Sequence, residues 1–352
     1  MADGELSSAP GDSDAAALNP RTWALALASP QREAWIKGGL KHYNKLVEFG
    51  TLGEYVPVKH LPAGTKTVRG GDVLSTKRSG ETRWRMVIKG FLMQPGIHYN
   101  ETFAPVVHIT TLRILIVMAT KHDWDDWQGD APSAFMQPKI DATIFMHLTP
   151  AYRHHSKKLR EMEAKHGPCV ARVLKGLPGI PQGSRLWNVL IHKLLTSLGY
   201  VRSQIDYGLY IKKCKGFQGP GECIFILIWV DDIFMLLDPK NDAVAAKDWE
   251  ALRIAIKVGD REPISDCLGC EIKRDRKNRR TFLTQEKSIS ALQAKLNLED
   301  IKGSAETPMD SKTKLSRDDC PSDDELRVRG ELTHHYQSCT ASINYFVMWT
   351  RC

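Results

Sequence analysis

No stretch of the chain approaches about 18 uninterrupted apolar residues, the length a helix needs to cross a bilayer, so the sequence offers no membrane span. Nor does it open on the basic-then-apolar order of a secretory signal. Its eight cysteines are scattered, with no spacing that demands a disulfide framework. Cys267 and Cys270 form a Cys-x-x-Cys pair, but no second pair stands at a zinc-like distance and both lie in a strand pattern, which reads as packing. This usage fits a reducing, intracellular compartment. No internal repeat is present, which excludes solenoid and propeller arrays. Acidic charge is also in deficit. The net charge is +8, and the first 20 residues hold four acids and no bases, leaving +12 for the rest. A basic body suits a binder of phosphate backbones, and many plain soluble proteins share it.

What is present is ordinary globular composition, 42% hydrophobic and 26% charged over 352 residues. That length predicts two or three structural units with ample core. The most telling stretch runs from Ile224 to Leu237, with seven apolar residues before Asp231-Asp232 and five after. Each arm is too short for a three-turn helix, so the reading is two buried strands joined by a two-residue acidic turn. Asp favours turns, and turn chemistry alone accounts for the pair. Carboxylates held against an apolar sheet are nonetheless costly unless paired or bound to a metal, and hard oxygen ligands suit magnesium.

Residues 1–20, rich in Ala, Ser, Gly and Asp, read as a disordered tail. Apolar spacing predicts a helix over about 30–48 despite Gly38-Gly39 in its middle. Arg83 to Lys89 alternates charged and apolar residues, a half-exposed strand with Arg83, Arg85 and Lys89 on one face. Such a face is either solvated or a phosphate contact. Thr110-Thr111 is expected to cap a buried helix from Leu112 to about Lys121. Asp130 stands where a strand meets a turn, either as a cap or as a third carboxylate for the Asp231-Asp232 hairpin. The Gly/Pro-rich loop over 175–185 leads into a helix from about Leu186 to Leu198. It is either a plain connection or a ligand-approach loop, with Gln182 and Arg185 as donors. A helix over about 242–258 and a strand from Leu268 to Lys273 follow. Residues 282–299 read as a strand and an amphipathic helix, 303–330 as a polar linker, and Tyr336 to Cys352 as an amphipathic helix that stops abruptly.

These pieces, in this order, resemble the reverse transcriptase domain of copia-type LTR retrotransposon polyproteins, from about residue 20 onward. The resemblance is carried by Lys89-Gly-Phe, Tyr99 through Val107, Asp130 through Phe135, Leu177 through Trp187, Asp206-Tyr-Gly-Leu-Tyr210, Trp229-Val-Asp-Asp232, Leu268 through Ile272, and Thr307-Pro-Met-Asp310. It implies an α+β, right-hand polymerase fold of the DNA/RNA polymerase superfamily, with fingers, palm and thumb and an antiparallel palm sheet backed by helices. The implied division is a fingers, palm and early-thumb domain over 21–302, the linker over 303–330, and a truncated start of the connection region over 331–352.

The resemblance also implies a function: RNA-directed DNA synthesis by two-metal nucleotidyl transfer from a dNTP to a primer 3′-hydroxyl. Asp130 and Asp231 would hold two Mg²⁺ ions, for which Mn²⁺ can substitute, with Asp232 as a further ligand. Phe135 falls at the aromatic gate under the sugar, or is an ordinary core residue. Gln182 and Gly183 would meet the incoming nucleotide or template. One of Arg83, Arg85 and Lys89 would reach the triphosphate, and Arg185 and Trp229 the template and primer. The partners implied are an RNA or DNA template with its primer, dNTPs and other modules of a retrotransposon polyprotein, with no membrane. The setting is cytoplasmic particles, with a nuclear phase open to the element. Trp229 stands where the family usually has Tyr, and Pro132 enters a turn usually free of proline. Two other functions remain at this point: a decayed or domesticated remnant that binds nucleic acid or a protein partner, and another two-metal nucleotidyl transferase.

Overall fold

The computed structural model describes residues 19–77, 79–214, 219–267 and 269–296, and beyond these only 314, 316, 320–322, 324–325 and 330–350. The expected tail, most of the expected linker, Leu268 and the stretch 307–310 therefore lie outside the described residues.

An N-terminal sheet is built from β1 (Leu52–Pro57), β2 (Thr67–Thr76), β3 (Thr82–Ile88), β5 (Lys139–His147) and β6 (Cys169–Lys175), in the order β1-β6-β5-β2-β3. Its pairings are antiparallel except that of β2 with β5. The alternation over 83–88 holds. Thr82, Trp84, Met86 and Ile88 are buried, and Arg83 and Arg85 point outward. In place of one helix from residue 30 there are two, Trp23–Ala28 and Arg32–Glu48. Ser29-Pro30 separates them, and Thr22 caps the first by accepting the Leu25 N–H at 3.3 Å. The glycine pair in the second helix has a packing reason. A Cβ on Gly38 would stand 2.5 Å from the Thr82 carbonyl oxygen, so only glycine lets the helix lie directly on β3.

The central sheet contains β4 (Asp125–Asp130), β7 (Val201–Arg202), β8 (Leu209–Lys213), β9 (Cys223–Trp229), β10 (Asp232–Leu237) and β11 (Glu262–Pro263). Its order is β11-β4-β10-β9-β8-β7 and every pairing is antiparallel. β9 and the rest of β10 after Asp232 are apolar because both faces are covered. Ile224, Ile226, Ile228, Ile233, Met235 and Leu237 meet the helices Gly183–Ser197 and Asp242–Ile256. Phe225, Leu227, Phe234 and Leu236 meet the helix Ile109–His122 and residues Cys267, Cys270 and Ile272. Burying such a side chain contributes about 1.5–3 kcal/mol relative to leaving it exposed, so the hairpin is among the most firmly held parts of the chain.

Three expectations need correcting. The helix Ile109–His122 is not capped by Thr110-Thr111. Its first turn is held by Asp206, whose buried carboxylate accepts the His108 N–H at 2.9 Å. Nor is that helix buried all round, since Ile114 and Val117 are 55% and 65% exposed. The strand expected from Leu268 begins at Cys270 instead. β12 (Asp266–Cys267), β13 (Cys270–Asp275) and β14 (Arg280–Thr284) form a third, small sheet, and Gly269 at φ +74° turns the chain between the first two. The cysteines flanking that turn are buried against the core, as packing residues should be.

Candidate active site

The β9–β10 hairpin sets the site. Asp232 pairs with Trp229 across the hairpin, so the two-residue turn is Val230-Asp231, and Asp232 is already the first residue of β10. The expected turn was one residue later. Val230 sits at φ +55°, a left-handed conformation that a β-branched residue adopts only under strain. The Trp187 indole N–H donates to its carbonyl and holds it there. On the other side, β4 brings Asp130 opposite Asp232. The Ala131 N–H donates to the Asp231 carbonyl at 2.9 Å, and the Gly259 N–H to the Asp130 carbonyl at 3.0 Å. Aspartates about a hundred residues apart in sequence are thus joined by backbone hydrogen bonds.

They do not share a single cavity. Asp130 and Asp231 line a cleft of about 600 Å³. Asp232 faces a smaller recess of about 250 Å³, with Asp130, Asp260, Glu262 and Asp266. Burial raises the Asp130 carboxyl above its usual range, Asp231 adds to this, and Lys45 opposes it. Asp232 is pushed up to about 6 by burial, then by Asp231, Asp130 and Asp266. Among the described residues no three His, Cys, Asp or Glu side chains stand close enough to hold a metal ion by themselves. With Glu81 taken up by Lys41 and Lys77, the carboxylates the cleft offers a cation are Asp130 and Asp231. That fits magnesium, which is commonly held by one or two carboxylates together with substrate phosphates and water.

The remaining walls of the cleft are basic and aromatic. Arg83 and Arg85 come from β3, Lys77 and Glu81 from the β2–β3 turn, and Gly38, Lys41, His42 and Lys45 from the helix Arg32–Glu48. Phe135, on a single 3-10 turn after Asp130, forms part of the floor beside Gly183, where an added Cβ would touch its ring at 3.6 Å. Burial lowers the Arg85 guanidinium, as does Arg83, while Asp231 opposes. His42 is pushed down to about 4 by burial and by Arg85, Lys45 and Arg83.

A strand-end aspartate set against an Asp-Asp hairpin is the arrangement the sequence resemblance implied. The reverse transcriptase (RNA-dependent DNA polymerase) family matches residues 54–311, well over half of the chain. The chain belongs to this family. The retrovirus-related Pol polyprotein from transposon TNT 1-94 of Nicotiana tabacum is 27% identical over 338 residues, covering 94% of this chain and 24% of that polyprotein. The retrovirus-related Pol polyprotein from transposon RE2 of Arabidopsis thaliana is 30% identical over 233 residues, covering 66% of this chain and 15% of that one. With these relatives the domain is a copia-type reverse transcriptase domain, and the chain spans a quarter or less of their length. Among solved structures, a foamy viral protease–reverse transcriptase in complex with double-stranded DNA is similar over 73% of this chain and 36% of that chain, at 14% identity and a TM-score of 0.41.

In reverse transcriptase terms the N-terminal sheet is the fingers and the central sheet the palm. Of the residues expected at the site, Asp130, Asp231, Phe135, Arg83 and Arg85 line the cleft, and Gly183 adjoins Phe135. Others are placed elsewhere. Gln182 is 1% exposed, donates to the His98 carbonyl at 2.9 Å and does not line the cleft. Arg185 is held by Asp141 at 3.0 Å and Glu101 at 3.6 Å. Lys89 follows the last residue of β3, where the strand alternation has ended. It lines a separate groove with Val73, Phe91 and Pro181. Trp229 ends β9 and packs partly buried against the lower palm core. The helix residues Lys41, His42 and Lys45 were missed. Their signal was the spacing 38, 41, 42, 45, one face of a helix, which was read only for its apolar residues.

Proposed function

We propose that this chain is an RNA-directed DNA polymerase, adding dNTPs to a primer 3′-hydroxyl along an RNA or DNA template. The observation that carries this reading is the meeting of Asp130 and Asp231 at the floor of a cleft walled by Arg83 and Arg85. In the reaction the primer oxygen forms a bond to the α-phosphorus, the bond from that phosphorus to the bridging oxygen breaks, and pyrophosphate leaves. Two divalent ions, magnesium or manganese, would supply the Lewis acidity that makes the primer hydroxyl a nucleophile and steadies the leaving group. Asp130 and Asp231 would hold them. Burial, and then the charge of Asp231, raise the Asp130 carboxyl, and a bound cation would offset both. Arg83 and Arg85 offset the triphosphate charge, and Phe135 lies under the sugar. Asp232 faces the acidic recess, where burial and the charges of Asp231, Asp130 and Asp266 raise its carboxyl.

The test is primer extension on an RNA template with dNTPs and magnesium, comparing the chain with Asp231→Asn. Extension is expected from the first. A loss of about 10³-fold or more is expected in the second, since a metal ligand contributes several kcal/mol of transition-state stabilisation. A second reading, a remnant that binds nucleic acid without catalysis, is favoured by the inward turn of Gln182 and the pairing of Arg185. Template–primer binding with no extension by either protein, in magnesium or manganese, would establish that reading and overturn the first.

A further inference from the structure

One wall of the cleft comes from outside the span that matches the family, which begins at residue 54. Gly38, Lys41, His42 and Lys45 line the cleft at successive positions of one face of the helix Arg32–Glu48. The close approach at Gly38 presses that face onto β3, so the two lysines share the cleft with Arg83 and Arg85. Glu81 then anchors the end of the arrangement by pairing with both Lys41 and Lys77, which ties the β2–β3 turn to the helix.

The charge count in this wall is unbalanced. Among the described residues Lys41 and Lys77 pair with Glu81, while Lys45, Arg83 and Arg85 have no carboxylate within ion-pair distance. Their crowding is visible at His42, where all three act to keep the ring neutral after burial has done the larger part. Five cations, Lys41, Lys45, Lys77, Arg83 and Arg85, share the cleft with three carboxylates, Glu81, Asp130 and Asp231, and that excess of positive charge suits an anion carrying several charges. The spread of cations from Lys41 to Arg85 suits an extended anion better than a single phosphate or carboxylate.

We propose that the helix Arg32–Glu48 is part of the nucleotide site, and that Lys41 and Lys45 bind the polyphosphate of the incoming nucleotide together with Arg83 and Arg85. The identity of the ligand as a nucleotide rests on the polymerase reading. The polyphosphate site itself rests on the cleft. Lys45 lines the same cleft as Asp130 and Asp231, so a polyphosphate held there has its reacting end at the aspartates.

The experiment is calorimetric titration of inorganic tripolyphosphate into the full chain in metal-free buffer, without template or primer. The variants are Lys45→Gln, Lys45→Arg, Lys41→Gln/Lys45→Gln, and Lys157→Gln/Lys158→Gln on a helix away from the cleft. Wild type and the Lys157/Lys158 variant should bind alike. Lys45→Gln should bind about tenfold more weakly, the double cleft variant more weakly still, and Lys45→Arg near the wild-type level. Because Lys41→Gln also breaks the Glu81 pair, Lys45→Gln alone decides, with thermal melting to confirm its fold. No binding by wild type, unchanged binding by Lys45→Gln, or an equal loss in the Lys157/Lys158 variant would each overturn the proposal. If binding depends on Lys45 but the wild-type chain never extends a primer, the polyphosphate site stands and the polymerase reading falls. If extension occurs and binding ignores Lys45, the reverse holds.

Discussion

Phe135 shows how one residue's role depends on what surrounds it. Its ring lies on the cleft floor, on the turn that leaves Asp130, with Gly183 against one side. A Cβ on Gly176 would meet the Phe135 carbonyl oxygen at 2.0 Å, so the backbone of the loop over 175–183 clamps the turn from below. On the proposed reading, a ring fixed in this way would lie under the sugar and exclude a 2′-hydroxyl by contact. Phe135→Ala should therefore raise the use of rNTPs relative to dNTPs by about tenfold or more, the worth of a filled contact of this size. Competitive single-nucleotide incorporation measures this, and an unchanged ratio would return Phe135 to the role of a core residue. Asp130, Asp231 and Phe135 were legible in the sequence because they sit in short motifs whose chemistry is local. Gln182 sits in an equally clear motif, yet its amide is turned to the His98 carbonyl. Motif spacing specifies a residue's place along the chain and leaves its rotamer to its neighbours.

At the scale of elements, the helix Arg32–Glu48 was legible from its apolar spacing, and its glycines looked like a fault. They are the reason it packs where it does. Ala in place of Gly38 would gain about 1 kcal/mol of helix propensity, but its Cβ would lie 2.5 Å from a backbone oxygen of β3, which has no rotamer to yield. The clash decides the sign. Gly38→Ala should destabilise the chain by about 1–3 kcal/mol, read as a lower Tm by calorimetry. A variant as stable as wild type would mean that the helix is not seated on β3. The expected Thr110-Thr111 cap failed for a related reason. A capping residue was sought in local sequence, and the group that satisfies the His108 N–H is Asp206, brought nearly a hundred residues along the chain by β8. The hairpin over 223–237 was read correctly except for its turn, which slipped by one residue. Apolar content marks a buried strand and leaves its register to the pairing of Asp232 with Trp229.

Across the whole molecule, net positive charge is distributed unevenly by pairing. At the end of β4 away from Asp130, Asp123, Asp125 and Asp126 neutralise Arg274, Arg276 and Arg279 through contacts of 2.7–3.9 Å. At the other end, among the described residues, Lys45, Arg83 and Arg85 line the cleft with no carboxylate within ion-pair distance. A nucleic acid bound across the cleft would meet these cations. If about six or more phosphates are engaged, template–primer affinity should fall about 10³-fold between about 50 mM and about 200 mM salt. Fluorescence anisotropy over that range tests it, and a flat dependence would remove backbone charge as the basis of binding.

Two short apolar strands carrying an acidic hairpin in a buried sheet were legible from the residues alone, because a run without polar residues can only be covered on both faces. The family the chain resembles was legible too, because ordered motifs survive without any knowledge of contacts. Tertiary structure alone decided that Asp130 and Asp231 share one cavity while Asp232 faces another. It also decided that a helix before the matched span supplies the opposite wall. Those outcomes depend on strand pairing across about a hundred residues and on a glycine's fit against a carbonyl. Periodicity in one dimension does not encode either.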